Sequence, residues 1–289
     1  MFQVCTDNVR TANDEHLDNL SEELEGGFKW DIIGISETKL KGKFTEDLKY
    51  GHFLYNSGVG DDCKRSAGVG FIIHKKHKEK VLELKGISPR IAYLKIKGSK
   101  NNHVFIQCYA PTTKAKPTDE DVIDFYNNLQ DLIDSVASRD DLFVLGDFNS
   151  KVGGLKSTFP EVIGSFSNVK RGNNDRGFQL AEFCQKNQLY ISNTHFKHRR
   201  MYTWTSPDGK TRNTIDYILV RSKFLPNVKN AHTVSCVDVS DHQLVRCTVR
   251  LGFCKVSRSK VKINFDIQKL DNKDTRNRFQ EKITTNLII

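Results

Sequence analysis

Short apolar runs that stop on an acidic residue constrain this chain more than any other feature of its sequence. Asp31 to Thr38 reads DIIGISET, in which Ile32, Ile33 and Ile35 lead to Glu37. Asp141 to Phe148 reads DLFVLGDF, a longer run that delivers Asp147 and, two residues on, Asn149. Apolar runs of this length, bounded by turn residues, are buried strands. Each one therefore presents a carboxylate at its carboxyl end.

The remaining segments alternate between strands and helices. Phe2 to Asn8 (FQVCTDN) predicts a short strand; Asn13 then caps an amphipathic helix with Leu17, Leu20 and Leu24 on one face and Gly26-Gly27 as its stop. The glycines of residues 56–70 precede the apolar strand Val69 to Ile73. No Gly-Lys-Ser or Gly-Lys-Thr follows and no helix opens there, so they predict hairpin turns rather than a phosphate loop. Strands over 91–97 and 103–109 lead to Ala110-Pro111. Thr118 and Asp121 form a candidate capping box for a helix with Val122, Phe125, Leu129, Ile133 and Val136 on its inner stripe. A helix over 176–187 carries Leu180, Phe183 and Cys184, and strands are expected at 189–193, 201–205 and 214–220. After Ser240-Asp241-His242, Val245, Cys247, Val249 and Leu251 alternate with Arg246, Thr248 and Arg250, the period of a half-buried strand. From about residue 253 the composition turns polar and basic. The reading is a domain over 1–252 and a basic linker or truncated tail over 253–289, with a helix at 271–288 that has few apolar positions.

Charge and cysteine usage narrow the partners. Within 289 residues, 45 Lys and Arg against 35 Asp and Glu leave a net charge of +10, which favours a polyanionic partner by long-range attraction. Basic residues gather at 74–78, 195–200 and 255–262. The 7 Cys are scattered without a Cys-x-x-Cys pair, so neither a disulfide framework nor a zinc site is expected and a reducing compartment fits. Cys108 and Cys247 lie in strand-like runs, where a buried thiol is ordinary. No apolar stretch approaches the roughly 20 residues that span a bilayer, and the N-terminus lacks a signal-peptide core. No membrane partner is expected, and an intracellular protein is.

Hydrolysing a phosphodiester needs a charge sink for the phosphorane oxygens, a group that orients or deprotonates water, and help for the leaving oxygen. Glu37 is a hard-cation ligand by type, Asp147 with Asn149 can position water, and Asp216 with His242 combines a carboxylate with an imidazole. Singly, each has an ordinary explanation, because an Asp at a strand end caps turns and a lone His packs in cores. What distinguishes this chain is that five separated polar sites follow apolar strands, an arrangement that would bring them to one rim of a two-sheet sandwich.

Six blocks in order resemble the endonuclease/exonuclease/phosphatase superfamily. They are Thr6-Asp7-Asn8-Val9, Ile35-Ser36-Glu37-Thr38, Tyr109-Ala110-Pro111-Thr112, Gly146-Asp147-Phe148-Asn149, Thr214-Ile215-Asp216-Tyr217 and Ser240-Asp241-His242. Finer features, Asn174-Asp175-Arg176-Gly177, Asn193-Thr194 and Thr203 to Gly209 (TWTSPDG), are most similar to the endonuclease module of non-long-terminal-repeat retrotransposons and to craniofacial development protein 2-like proteins. The resemblance implies an α/β fold, a four-layered α/β sandwich of two packed mixed β-sheets flanked by helices, deoxyribonuclease-like. It implies Mg²⁺, with Mn²⁺ as a substitute, held by Glu37 with Asn8 and Asp241 nearby. It further implies that Asp147 activates water with Asn149 aligning it, that His242 held by Asp216 contacts the scissile phosphate, and that Tyr109 bonds that phosphate or assists the leaving oxygen. The partner implied is DNA, cut to a nick with a 3′-hydroxyl, with no small-molecule cofactor and a nuclear location. Two alternatives stand beside it: a catalytically weak domesticated DNA- or protein-binding module, and a phosphatase of the same fold. The bounds at Met1 and Ile289 read as those of a gene fragment, since a retrotransposon polyprotein would continue into a reverse transcriptase. One position departs from the family pattern: Asp7 stands where the first-strand motif carries Trp. Next to Asn8 on a strand, it points to the opposite face, so its expected cost is in stability rather than chemistry.

Overall fold

Alternation within each apolar run sends half of its side chains to each of two cores. In the computed structural model, which describes residues 1–60, 67–112, 116–234 and 240–253, strands β1 (Phe2–Asn8) and β2 (Ile32–Ser36) are buried along their whole length. They are followed by β3 (Lys43–Asp47), β4 (Phe53–Ser57) and β5 (Val69–Ile73). Next come β6 (Val81–Ser88), β7 (Ile91–Ile96), β8 (His103–Tyr109), β9 (Asp141–Asp147) and β10 (Leu189–Ile191). A short ribbon of β11 (Trp204–Thr205) and β12 (Arg212–Asn213) precedes β13 (Asp216–Arg221), β14 (Val228–Val234) and β15 (Leu244–Val249).

One sheet has the order β14-β15-β1-β2-β5-β4-β3 and the other β10-β13-β9-β8-β7-β6. Each holds a single parallel pair, β1 with β2 and β8 with β9, so both sheets are mixed. Helix α1 (Asp14–Glu25) covers the first sheet; α2 (Glu120–Ser135) and α3 (Asp175–Lys186) cover the second. Three apolar cores separate the four layers. Leu17, Leu20 and Leu24 pack on Cys5, Ile33 and Ile35; Phe71, Phe105, Phe143 and Ile218 fill the space between the sheets; Phe125, Leu129 and Leu180 pack on Ile106 and Val144. Each fully buried Leu, Ile or Phe stabilises the fold by roughly 1.5–3 kcal/mol relative to exposure.

Asn13 caps α1 as expected, its side chain accepting from the N–H of His16 at 2.9 Å. The capping box expected at Thr118 is absent. Helix α2 starts after Asp119, whose carboxylate accepts instead from the N–H of Lys116 at 2.8 Å and so tightens the turn before the helix. Its predicted inner stripe is buried throughout. The strand expected at 201–205 shortens to β11, and that expected at 214–220 begins at Asp216. Packing continues through Phe253, whose ring lies 5.0 Å from Phe2 and 4.8 Å from His103. The helix expected over 271–288 lies outside the described residues. Cys5, Cys108, Cys184 and Cys247 are buried free thiols, and no helix among the described residues is long and apolar enough to cross a membrane.

Candidate active site

Both parallel pairs run out at the same rim. In the first sheet Asn8 is level with Ser36, so Glu37 follows directly beside it. In the second, Tyr109 is level with Asp147 and Asp147 with Asp216, which makes one row across three neighbouring strands. The Asn8 amide joins the two sheets: its Nδ2 donates to Glu37 Oε1 at 2.9 Å and to Asp147 Oδ2 at 3.0 Å. Its Oδ1 accepts from the N–H of Arg10 at 3.1 Å. Asn8, which the resemblance placed near the cation, holds two acids in place here with its N–H groups.

The last block reaches the site from the segment before β15. Ser240 Oγ donates to the Asn8 carbonyl at 2.7 Å and accepts from the N–H of His242 at 3.0 Å. His242 Nδ1 lies 3.0 and 3.2 Å from the two Asp216 oxygens. A carboxylate only accepts, so Nδ1 carries the proton of this bond and the ring's other nitrogen is left for a substrate. Asp216 is fixed in turn by Thr203, whose Oγ1 accepts from the N–H of Ile215 at 3.0 Å and of Asp216 at 3.1 Å. Asn149 follows the same logic, donating its backbone N–H to Asp147 Oδ1 at 2.8 Å and its Nδ2 to the Ala110 carbonyl at 3.0 Å.

Backbone strain gathers at this rim. Of the six non-glycine residues with positive φ among the described residues, Arg10 (55°), Glu37 (55°), Lys39 (58°) and Asn149 (49°) lie in or beside the site. A left-handed conformation costs an L-residue roughly 1–2 kcal/mol, so such clustering marks a place where geometry serves something other than stability. Gly146, one residue before Asp147, has a φ of 141°, and a Cβ there would meet the Cys108 carbonyl at 1.9 Å. Only glycine lets β9 approach β8 this closely.

The charges interact strongly. Burial lowers the His242 pKa, but the charge and hydrogen bond of Asp216, with Asp147 and Asp241, outweigh it and hold the ring as an imidazolium. Burial first, and then the charge of Asp216, pushes the Asp147 carboxyl well above the usual range, against the pull of His242. Burial, followed by the charges of Glu37 and Asp147, raises the Tyr109 phenol and keeps it protonated. On the opposite face of β1, Asp7 is 4% exposed and burial pushes its carboxyl up to about 7. Its Oδ1 has no hydrogen-bond partner.

These residues surround an open cleft of about 410 Å³ lined by Glu37, Tyr109, Asp147, Asn149, Asp241 and His242. Asp216 stands behind His242 and Asn8 behind the two acids it joins. Asp147, Asp216 and His242 bring ligand-type atoms within 4.8 Å of one another, although Asp216 and His242 already satisfy each other. A hard cation fits the oxygen side of the cleft better, where Glu37 and Asp147 sit side by side. Asp241 adds to that fit: its Oδ1 is buried without a hydrogen-bond partner, while Oδ2 accepts from Trp204 Nε1 at 3.0 Å and lies 3.5 Å from Arg10 Nη1. Arg10, Lys151, Asn174 and Trp204 also line the cleft and were not singled out by sequence as site residues. Asn174 and Trp204 belong to blocks that carried the family resemblance, whereas Arg10 and Lys151 stand two residues after Asn8 and Asn149, a spacing with no meaning until the turns are known.

Comparison with known proteins bears on this geometry. Residues 8–242 match the profile of the Endonuclease/Exonuclease/phosphatase family. The chain is 37% identical over 253 residues to craniofacial development protein 2 of Bos taurus, covering 86% of this chain and 41% of that protein. A similar match, 36% identical with the same coverage of this chain, is found in Tragulus javanicus. The chain thus spans about two fifths of the length of the curated relatives it matches. Among solved structures, the catalytic domain of APE2 from Xenopus laevis superposes with a TM-score of 0.66 at 16% identity over 88% of this chain and 94% of that one. The 3'-5' exonuclease NExo of Neisseria meningitidis gives 0.63 at 17% identity over 86% and 99%. The endonuclease domain of TRAS1, a telomere-specific non-LTR retrotransposon, gives 0.58 at 15% identity over 86% and 98%. At these identities the likeness is one of fold, and it is the two-sheet fold described above.

Proposed function

Because this chain belongs to the endonuclease/exonuclease/phosphatase family, we propose that it is a retrotransposon-derived, Mg²⁺-dependent DNA endonuclease that hydrolyses one phosphodiester bond and leaves a 3′-hydroxyl. The observation that carries this reading is the Asn8 amide that binds Glu37 and Asp147 together, beside the Asp216–His242 pair, on one wall of an open cleft. Glu37, Asp147 and Asp241 would hold the cation, which supplies positive charge for the phosphorane oxygens. Asp147, its carboxyl raised by burial and by Asp216, accepts a proton from the attacking water, while Asn149 fixes that carboxylate through a backbone N–H. His242, kept charged and oriented by Asp216, donates to a non-bridging phosphate oxygen. Water adds to phosphorus, the bond to the 3′ oxygen breaks, and Tyr109, protonated in this environment, donates to the departing oxygen or its phosphate. The net charge of +10 favours a DNA partner, and a DNA substrate favours a nuclear location.

The test is nicking of supercoiled plasmid by the full chain with Mg²⁺, against EDTA, E37A and H242A. Relaxed circles that a polymerase can extend should form only with wild type and Mg²⁺ or Mn²⁺. Removing a positioned acid or base should slow nicking by about 10²–10⁴-fold. A folded wild-type protein that relaxes nothing with any divalent cation would sink this reading.

A further inference from the structure

Arg90 lies outside the cleft and in none of the family blocks, yet it grips one of the site's residues from three directions. It sits in the turn between β6 and β7, where its carbonyl accepts the N–H of Tyr109 at 2.9 Å. Its Nη1 donates to the Tyr109 carbonyl at 3.2 Å, and its guanidinium lies 5.1 Å from the centre of the Tyr109 ring. The Arg90 N–H is itself held by Ser88 Oγ at 3.2 Å. Among the described residues no carboxylate forms an ion pair with Arg90.

A guanidinium stacked over an aromatic face is attracted to the ring quadrupole, and the attraction grows as the pair loses water. Tyr109 is 7% exposed, so its ring can occupy little space other than the one under Arg90. The ring faces a difficult electrostatic environment, since Glu37 and Asp147 crowd its hydroxyl with negative charge. Arg90 is the positive group that opposes them from behind the ring. The bond from the Tyr109 N–H to the Arg90 carbonyl and the one from Arg90 Nη1 to the Tyr109 carbonyl also fix where β8 stops. The hydroxyl position is thus set by a residue that does not touch the cleft.

We propose that Arg90 is a positioning residue for Tyr109, holding the phenol against the site by stacking and by clasping its backbone. This rests on the reading of Tyr109 given above, and the two can be separated experimentally. Lysine keeps the charge but loses the planar stack and the Nη1 bond, while methionine loses both.

The experiment combines ring NMR of ¹³C-tyrosine-labelled full-length protein with plasmid nicking. The Tyr109 signal is assigned by its loss in Y109F and compared between wild type, R90K and R90M. It should move in both Arg90 variants, with smaller changes at the other tyrosines. In nicking, R90K should lower kcat by about tenfold with KM within about twofold, consistent with the steep cost of misplacing a reacting group, and should cost nothing further in the Y109F background. An unmoved Tyr109 signal in R90K overturns the proposal, whether or not the protein nicks DNA. So does a loss of nicking by R90K that is the same with and without Y109F. A Tyr109 signal that moves in the Arg90 variants, with a wild-type protein that does not nick, upholds the positioning role and sinks the endonuclease reading instead.

Discussion

Asp7 is the residue whose cost is most directly measurable. A carboxyl with a folded pKa of about 7 against an ordinary 3.8 disfavours the folded state once the unfolded chain ionises. Its penalty is absent below about pH 3.8, grows through the window from there to pH 7, and is constant above. Three pKa units correspond to on the order of 4 kcal/mol. D7N should therefore raise the urea midpoint at pH 8 and leave it nearly unchanged at pH 4; equal midpoints for the two proteins at pH 8 would refute the burial argument. Sequence placed Asp7 on the face away from Asn8, because neighbours on a strand must diverge, and the structure keeps it there under α1. What Asn8 does was not legible. Its block marked it as important, but which of its atoms faces which acid depends on the distance between two sheets, and no stretch of sequence encodes that distance.

Elements buried on both faces were the legible ones. β2, β5, β8 and β9 announced themselves as apolar runs, and the alternation in β15 gave its inward side. The strands that escaped notice include β3, β6 and β14, each the edge of a sheet. An edge strand has one neighbour and a solvated flank, so Lys43–Asp47 is nearly all exposed and carries no apolar period. In the ribbon, β11 was expected within the longer run 201–205, whereas β12 escaped for another reason: the ribbon is two residues deep and is tied by main-chain bonds such as that from the Thr203 N–H to the Asn213 carbonyl at 2.8 Å. Thr203, just before it, carries a prediction at this scale. T203V removes the acceptor of two backbone N–H groups at Ile215 and Asp216, and a buried donor left unmade costs about 1–3 kcal/mol. The variant should unfold at lower urea, and it should slow nicking because Asp216 no longer meets His242. T203S, which retains the oxygen, should do neither.

At the scale of the whole molecule, the four layers and the cleft at their rim account for most of the design among the described residues, and the layered architecture was readable from the ordered family blocks. The surplus of positive charge belongs to this scale because it acts on approach rather than at a bond. For E37A, which would bind DNA without cutting it, log affinity should fall against log salt by about 0.9 per phosphate contacted. Three contacts amount to about a fortyfold loss between 50 and 200 mM salt. A flat salt dependence in a filter-binding titration would remove polyanion attraction from the account.

The order of the first sheet has a consequence for how the protein comes to be. β1, the first strand described, sits between β2 and β15, the last strand described. Ser240 and His242 dock on Asn8 and Asp216 from the segment immediately before that final strand. A nascent chain therefore carries β1 with the edge that β15 will cover unpaired until nearly all of this domain has left the ribosome. The cleft therefore cannot be complete until Ser240 and His242 have been made, when synthesis of the domain is all but finished.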